Sequence, residues 1–351
     1  MPAIAMRLSD FDYALPKERI ALYPPAQRTD ARLLSVDKPS DKISHHVFRE
    51  IGSLLRPGDV LVLNDTKVLP ARLFAKKETG GAVEILLLKE FGPSQWKVLI
   101  RPSGRVKKGS RLHIDSRGDV LDAVVLDDSV EGTVERKIEF QQDDARKKIE
   151  TMGHMPLPPY IQRSDEECDR DQYQTVFAAK EGAIASPTAG LHFDQRLLED
   201  LKRQGIEIIY VTLHVSYSTF RPIHVEDLSQ YQMFEEEYEV TPEAAAGLNR
   251  AMDQGRRVIA CGTTSVRVLE SSVDATGKIR PQASTTRLFV YPPYEFKVVK
   301  GIITNFHLPK STLLLLVAAF LGGREPLFKV YEEAIRERYR FYSYGDAMLI
   351  V

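Results

Sequence analysis

The chain has 351 residues, 43% of them hydrophobic and 28% charged, which is enough for two folded domains with real cores. Its 48 Lys plus Arg balance 49 Asp plus Glu, and a net charge of -1 excludes any global attraction to nucleic acid, so RNA contacts must come from local patches. Two isolated cysteines exclude a disulfide framework or zinc cluster, and the longest apolar run, Leu313 to Leu321, is far short of the ~20 residues that span a bilayer.

A cytoplasmic location is therefore expected, because Met1 to Asp10 also lacks a secretion signal. Tyr23-Pro24-Pro25 forbids a continuing helix near the start. Leu33 to Val36 then reads as a strand, Phe48 to Leu55 as a helix, and Pro57-Gly58-Asp59 as a turn into the buried strand Val60 to Leu63. The exit loop Asn64 to Arg72 combines Lys67 and Arg72 with three polar side chains and reads as a site loop more readily than as a solvated turn.

From Arg72 to Phe140 helical periodicity disappears. Val83 to Leu88, Trp96 to Ile100, Arg111 to Ile114, Val120 to Val125 and Thr133 to Phe140 are short candidate strands separated by glycine turns, the pattern of a small barrel or sandwich. The loop Arg101 to Lys108 plus Arg111 holds the cations Arg101, Arg105, Lys107, Lys108 and Arg111, which could meet several phosphates or form a solvated face. A helix from about Asp143 to Thr151 returns the chain to Gly153-His154-Met155-Pro156-Leu157-Pro158-Pro159-Tyr160-Ile161, whose prolines make a stiff border between domains.

Helices and apolar strands alternate from there on, so the fold class is α/β, a mixed sheet flanked by helices, with an inserted small β-barrel domain. The expected division is a discontinuous catalytic domain, 1–70 and 152–351, around a barrel at 71–151. The loop Ala185 to Phe193 brings Ser186, Thr188 and His192 into one turn shaped by Pro187 and Gly190, either as a site or as a rigid turn in which His192 bonds to backbone. Asp194 can cap the next helix, whose stripe is Leu197, Leu198 and Leu201, and Gly205 stops it before the strand Ile206 to Val215.

Three apolar strands end in polar residues: His214 and Ser216 after the first, Gly262-Thr263-Thr264-Ser265 after the second, Asn305 and His307 after the third. Ligands of open α/β sheets bind outside the carboxyl ends of strands, so these exits should converge on one crevice. Thr263, Thr264 and Ser265 at a helix start resemble an anchor for a carboxylate or ribose, and Asn305 and His307 can orient a heterocycle. Arg267 and Glu270 lie three apart on the helix, the spacing of an ordinary ion pair. Glycine-rich nucleotide loops, a Gly-x-Ser-x-Gly elbow and a His-Glu-x-x-His pair are all missing from the sequence. Arg336 to Met348 interleaves cations with aromatics, as RNA-contacting surfaces and packed helix edges both do.

Four stretches in order, Gly153 to Ile161, Pro187 to Phe193, Thr304-Asn305-Phe306-His307-Leu308-Pro309 and Tyr342-Ser343-Tyr344-Gly345-Asp346-Ala347-Met348, carry a resemblance. The chain resembles the S-adenosylmethionine:tRNA ribosyltransferase-isomerase family of queuosine biosynthesis over essentially its whole length from Met6, with Met1 to Ala5 as an extension. The resemblance implies an α/β domain with an inserted β-barrel. It also implies the reaction: the ribosyl part of S-adenosylmethionine is transferred to 7-aminomethyl-7-deazaguanine at the wobble position of tRNA and isomerised, giving epoxyqueuosine, adenine and methionine.

No metal or cofactor is implied; S-adenosylmethionine is consumed as a co-substrate, tRNA is the partner, no membrane is involved, and a monomer is expected. Proton transfer falls to His192, His214 and His307, with Glu236 as a further acid or base. The donor falls to Thr188, Gly190, Thr263, Thr264, Ser265, Arg267 and Asn305, and tRNA to Lys67, Arg72, Arg101, Arg105, Lys107, Lys108 and Arg340. Two departures stand out. Ser216 and Ser218 replace family glycines, so negative φ or a loop displaced from the donor is expected. Tyr231 and Phe234 stand where histidines are common, and Phe234 cannot transfer a proton. The rivals are a tRNA-binding relative with impaired catalysis and an unrelated transferase that uses an adenosyl donor on a small molecule.

Overall fold

The computed structural model describes residues 6–127, 135–217 and 222–351. Expectations for Met1 to Ala5, Gly132, Thr133 and Ser218 to Phe220 lie outside the described residues, as does the side chain of Arg105. Nine strands form one sheet in the order Gln282–Thr286, Glu236–Val240, Glu207–Leu213, Val60–Asn64, Val258–Cys261, Gly301–Asn305, Ala347–Ile350, Arg32–Asp37, Lys42–Val47. The run from Glu207–Leu213 to Gly301–Asn305 is parallel, whereas Ala347–Ile350 joins it antiparallel and both edges are antiparallel, so the sheet is mixed.

Val60–Asn64, Val258–Cys261 and Gly301–Asn305 are buried at every position, which is why they read as unbroken apolar runs: helices cover both faces of a parallel sheet. The helix Gln195–Arg203 begins where the Asp194 carboxylate accepts from Leu197 N at 2.7 Å, buries Leu197, Leu198 and Leu201, and ends before Gly205 at φ 83°. The longest apolar run is the helix Thr312–Leu321, capped by Ser311 and buried from Leu314 to Leu321, and no helix among the described residues is long and apolar enough to cross a membrane.

Two local outcomes differ from expectation. Phe48–Ser53 is a 3-10 helix, and Lys42–Val47 adds an edge strand that alternation did not announce, because a half-exposed edge needs no apolar face.

The barrel closes in the order Glu135–Phe140, Gln95–Arg101, Ala82–Gly92, Arg72–Lys77, Arg111–Ser116, Asp119–Val125. Its inward residues and Ala145, Ile149 and Met152 of the helix Ala145–Met152 share one core. The two chain crossings into the barrel pair with each other, since Arg72 N donates to His154 O at 3.1 Å and His154 N to Arg72 O at 2.8 Å. Gly153 makes that approach feasible: a Cβ there would sit 2.0 Å from Pro70 O and 2.6 Å from Ile149 O. Gly153→Ala should therefore destabilise the fold by about 1–3 kcal/mol through overpacking, read as a lower thermal midpoint. An unchanged midpoint would mean that the two crossings can separate without cost.

Candidate active site

Five segments meet at the carboxyl ends of the parallel strands. The loop around Ser186 and Thr188, the helix start from Gly262 to Arg267, the strand end from Thr304 to His307, and the rings of Tyr160 and Tyr342 line one crevice. Of the residues expected at the donor, Thr188, Thr263, Thr264, Arg267 and Asn305 share this crevice with His307. Gly262 turns the chain from strand to helix at φ 85°, a conformation that costs a side-chain-bearing residue energy, and thereby aims Thr263 and Thr264 at the opening. Ser265 instead turns inward, its hydroxyl donating to Cys261 O at 2.7 Å. Gly190 packs rather than lines, because a Cβ there would meet Phe177 at 2.8 Å and Thr175 at 2.9 Å.

His192 lies behind Asn305. The Asn305 Oδ1 accepts from the Thr188 hydroxyl at 3.0 Å, while its amide nitrogen donates to Tyr342 O at 3.1 Å and to His192 Nε2 at 3.2 Å. Accepting at Nε2 leaves the His192 proton on Nδ1, so the ring orients the amide and itself packs at a tilt against Phe48, 5.0 Å between centroids. His307 lines the crevice with Nε2 at 2.8 Å from Thr304 Oγ1, and its backbone N–H donates to the Tyr331 hydroxyl at 3.0 Å. Burial lowers both rings to about 3, helped at His192 by the Arg340 and Arg28 cations.

Arg267 does not pair with Glu270. It forms a buried ion pair with Glu236, donates Nε to Leu288 O at 3.1 Å, and leaves Nη2 buried without a hydrogen-bond partner. The Glu236 carboxylate also accepts from Ser216 N at 2.9 Å. Glu270 turns the other way and accepts the backbone N–H groups of Lys297, Val298 and Val299 at 2.9, 3.0 and 3.0 Å. The Thr264 and Ser186 hydroxyls are likewise buried without partners, so this crevice presents three unsatisfied donors.

A second crevice, between sheet and barrel, shares Val215 and Met233 with the first and holds His214, Glu236 and Phe234. His214 Nδ1 lies 2.8 Å from Thr66 Oγ1, and Gly182 leaves room for the ring, since a Cβ there would come within 2.9 Å. The short parallel pair Thr66–Val68 and Lys180–Ala183 brings both neighbours to that ring. Burial lowers the His214 pKa against the raising effect of Glu237 and Asp65. Ser216 avoids the left-handed region, as expected of a serine in place of glycine.

The residues expected at tRNA are dispersed. Arg72 and Arg101 line a third cleft; Lys67 pairs with Glu181 at 3.0 Å, and Arg340 with Asp346 at 3.5 Å; Lys107 and Lys108 are exposed on the barrel. Among the described residues no group of three His, Cys, Asp or Glu side chains is arranged to hold a metal ion. Sequence reasoning assigned no role to Tyr160, Tyr342 and Met233, whose residue types carry no signal until the fold aims them at a crevice, and it read the loop of Thr66 as a site without singling that residue out.

The buried histidines fix a pH dependence. An unfolded imidazole titrates near 6.5 and the folded ones near 3, so between these values the unfolded chain binds more protons and stability falls as pH falls. Each ring contributes a slope of up to about 1.4 kcal/mol per pH unit. His192→Gln should remove one ring's share of the slope between pH 4 and 6 in denaturant titrations; an unchanged slope would show that the folded ring is already protonated there.

The sequence pattern of the family described as "Queuosine biosynthesis protein" matches residues 8–350. An S-adenosylmethionine:tRNA ribosyltransferase-isomerase of Desulforamulus reducens is 48% identical over 348 residues, covering 99% of this chain and 100% of the relative, and one of Symbiobacterium thermophilum is also 48% identical with the same coverage. The crystal structure of an S-adenosylmethionine tRNA ribosyltransferase from Thermotoga maritima superposes with a TM-score of 0.53 at 39% identity, covering 97% of this chain and 100% of that one. Matched from end to end in both sequence and fold, the chain belongs to the queuosine biosynthesis protein family, whose curated relatives here are ribosyltransferase-isomerase enzymes.

Proposed function

We propose that the chain transfers and isomerises the ribosyl moiety of S-adenosylmethionine onto 7-aminomethyl-7-deazaguanine at the wobble position of tRNA, yielding epoxyqueuosine, adenine and methionine, in the cytoplasm and as a monomer. The observation that carries this reading is the trio of buried, unpartnered donors in one crevice, Arg267 Nη2, Thr264 Oγ1 and Ser186 Oγ. Unpaired buried donors cost stability, and a donor molecule with carboxylate and ribose oxygens would satisfy them. The Tyr160 and Tyr342 rings on the same crevice suit a sulfonium cation.

In this reading the adenosyl donor occupies the first crevice and the acceptor amine enters through the second. Burial holds the pKa of His192 and His307 far below neutrality, so both rings are neutral at pH 7 and neither serves as a ready acid for departing adenine. Asn305, held from three sides, orients the heterocycle, and His307 remains a neutral acceptor beside it. His214, fixed by Thr66, faces the acceptor's route and takes a proton as the amine becomes a nucleophile. Exposed Lys107 and Lys108, with Arg101, contribute phosphate contacts.

The test is incubation with S-adenosylmethionine and tRNA bearing the deazaguanine precursor, with free adenine and modified nucleoside measured. Tight tRNA binding without adenine would favour the impaired relative, a reading that Phe234 on the acceptor crevice supports. Thr264→Val sharpens the assignment: losing a hydroxyl that has no protein partner should leave the thermal midpoint unchanged or higher, yet weaken S-adenosylmethionine binding roughly fivefold to tenfold. Unaltered affinity would remove Thr264 from the donor site.

A further inference from the structure

The proline-rich stretch after Gly153 and the barrel strand Arg72–Lys77 build a feature that the reaction leaves unused. Phe74 is 53% exposed, and its ring meets His154 edge-on at 5.0 Å between centroids. His154 is locked in place, because Nδ1 lies 2.9 Å from an oxygen of Asp165, whose other oxygen accepts Met155 N–H at 2.9 Å. Across the same cleft Arg101 donates to the Tyr217 hydroxyl at 2.5 Å, with its guanidinium 5.7 Å from that ring's centroid.

This outer cleft adjoins the site. It shares Leu99, Ile184 and Tyr217 with the crevice between sheet and barrel, which in turn shares Val215 and Met233 with the donor crevice. The three clefts therefore lie side by side from the strand ends to Phe74. A base that enters such a cleft for chemistry must leave its stack, and its neighbour then loses a stacking partner. An exposed aromatic ring beside a fixed imidazole and a planar cation supplies what that neighbour has lost, since every base offers a face to stack.

We propose that the outer cleft binds an unpaired ribonucleotide adjacent to the modified one, its base stacked on Phe74, which His154 braces edge-on, and its phosphate held by Arg101. The proposal rests on tRNA being the acceptor, but its test needs no turnover. The probe is a synthetic anticodon stem-loop, whose binding is measured across a salt series, with S-adenosylmethionine affinity measured separately. Phe74→Ala should weaken stem-loop binding about tenfold or more with an unchanged salt slope, and Phe74→Tyr should restore it, because stacking releases no counterions. Arg101→Gln should instead lower the slope by about one. S-adenosylmethionine affinity should stay at the wild-type value in Phe74→Ala.

Stem-loops abasic on one side of the wobble nucleotide identify the contact. Wild type should lose affinity for one of them, and Phe74→Ala should lose nothing further on that same probe. Full-strength binding by both Phe74→Ala and His154→Ala, or abasic and Phe74→Ala losses that simply add, would overturn the outer-cleft site while leaving the transferase reading intact. Absence of stem-loop binding by the wild-type protein would overturn both.

Discussion

A buried ion pair between Arg267 and Glu236 holds the crevice at the strand ends in shape. Both side chains are almost wholly withdrawn from water, a state whose desolvation cost is several kcal/mol per ion unless further hydrogen bonds share the load. Here they do: Leu288 O takes Arg267 Nε, and Ser216 N–H meets the Glu236 carboxylate. The pair thereby ties together the helix Gly262–Ser272, the start of the strand Glu236–Val240 and the exit of the strand Glu207–Leu213. With one arm neutralised and one nitrogen unpartnered, Arg267 can meet an anionic group without moving.

The polar residues around that pair are held by burial as much as by bonds. His192 and His307 are neutral because an imidazolium would be stranded in a nearly dry interior, and at His192 the donating Asn305 amide makes Nε2 the acceptor. The chain Thr188–Asn305–His192 then leaves Asn305 a single amide orientation. Preorganisation of this kind removes the cost of ordering the amide when a ligand binds beside it.

The barrel contributes position more than chemistry. Its two chain crossings are pinned to each other at Arg72 and His154, which sets the barrel wall against the sheet and creates the crevice shared by His214 and Phe234. Phe234 makes part of that wall apolar, and it is 41% exposed there. The titratable side chain that Thr66 and Gly182 hold in a fixed place at this wall is His214.

Much of this was legible in the sequence because its causes are local. Full burial of the parallel strands, the Asp194 cap, the stop at Gly205 and the change to barrel periodicity near Arg72 each follow from neighbouring residues and backbone preference. The strand-end polar residues were legible for the same reason. Tertiary structure decided the pairings between elements. Arg267 had Glu270 at ion-pair spacing on its own helix, yet it bonds Glu236, while Glu270 bonds three distant backbone amides. His192 stands in a loop of site-like composition, yet it faces Asn305 rather than the crevice. Helical spacing fixes which side chains can touch along one element, whereas sheet order fixes which elements meet, and a buried charge takes the partner that the packed interior offers it.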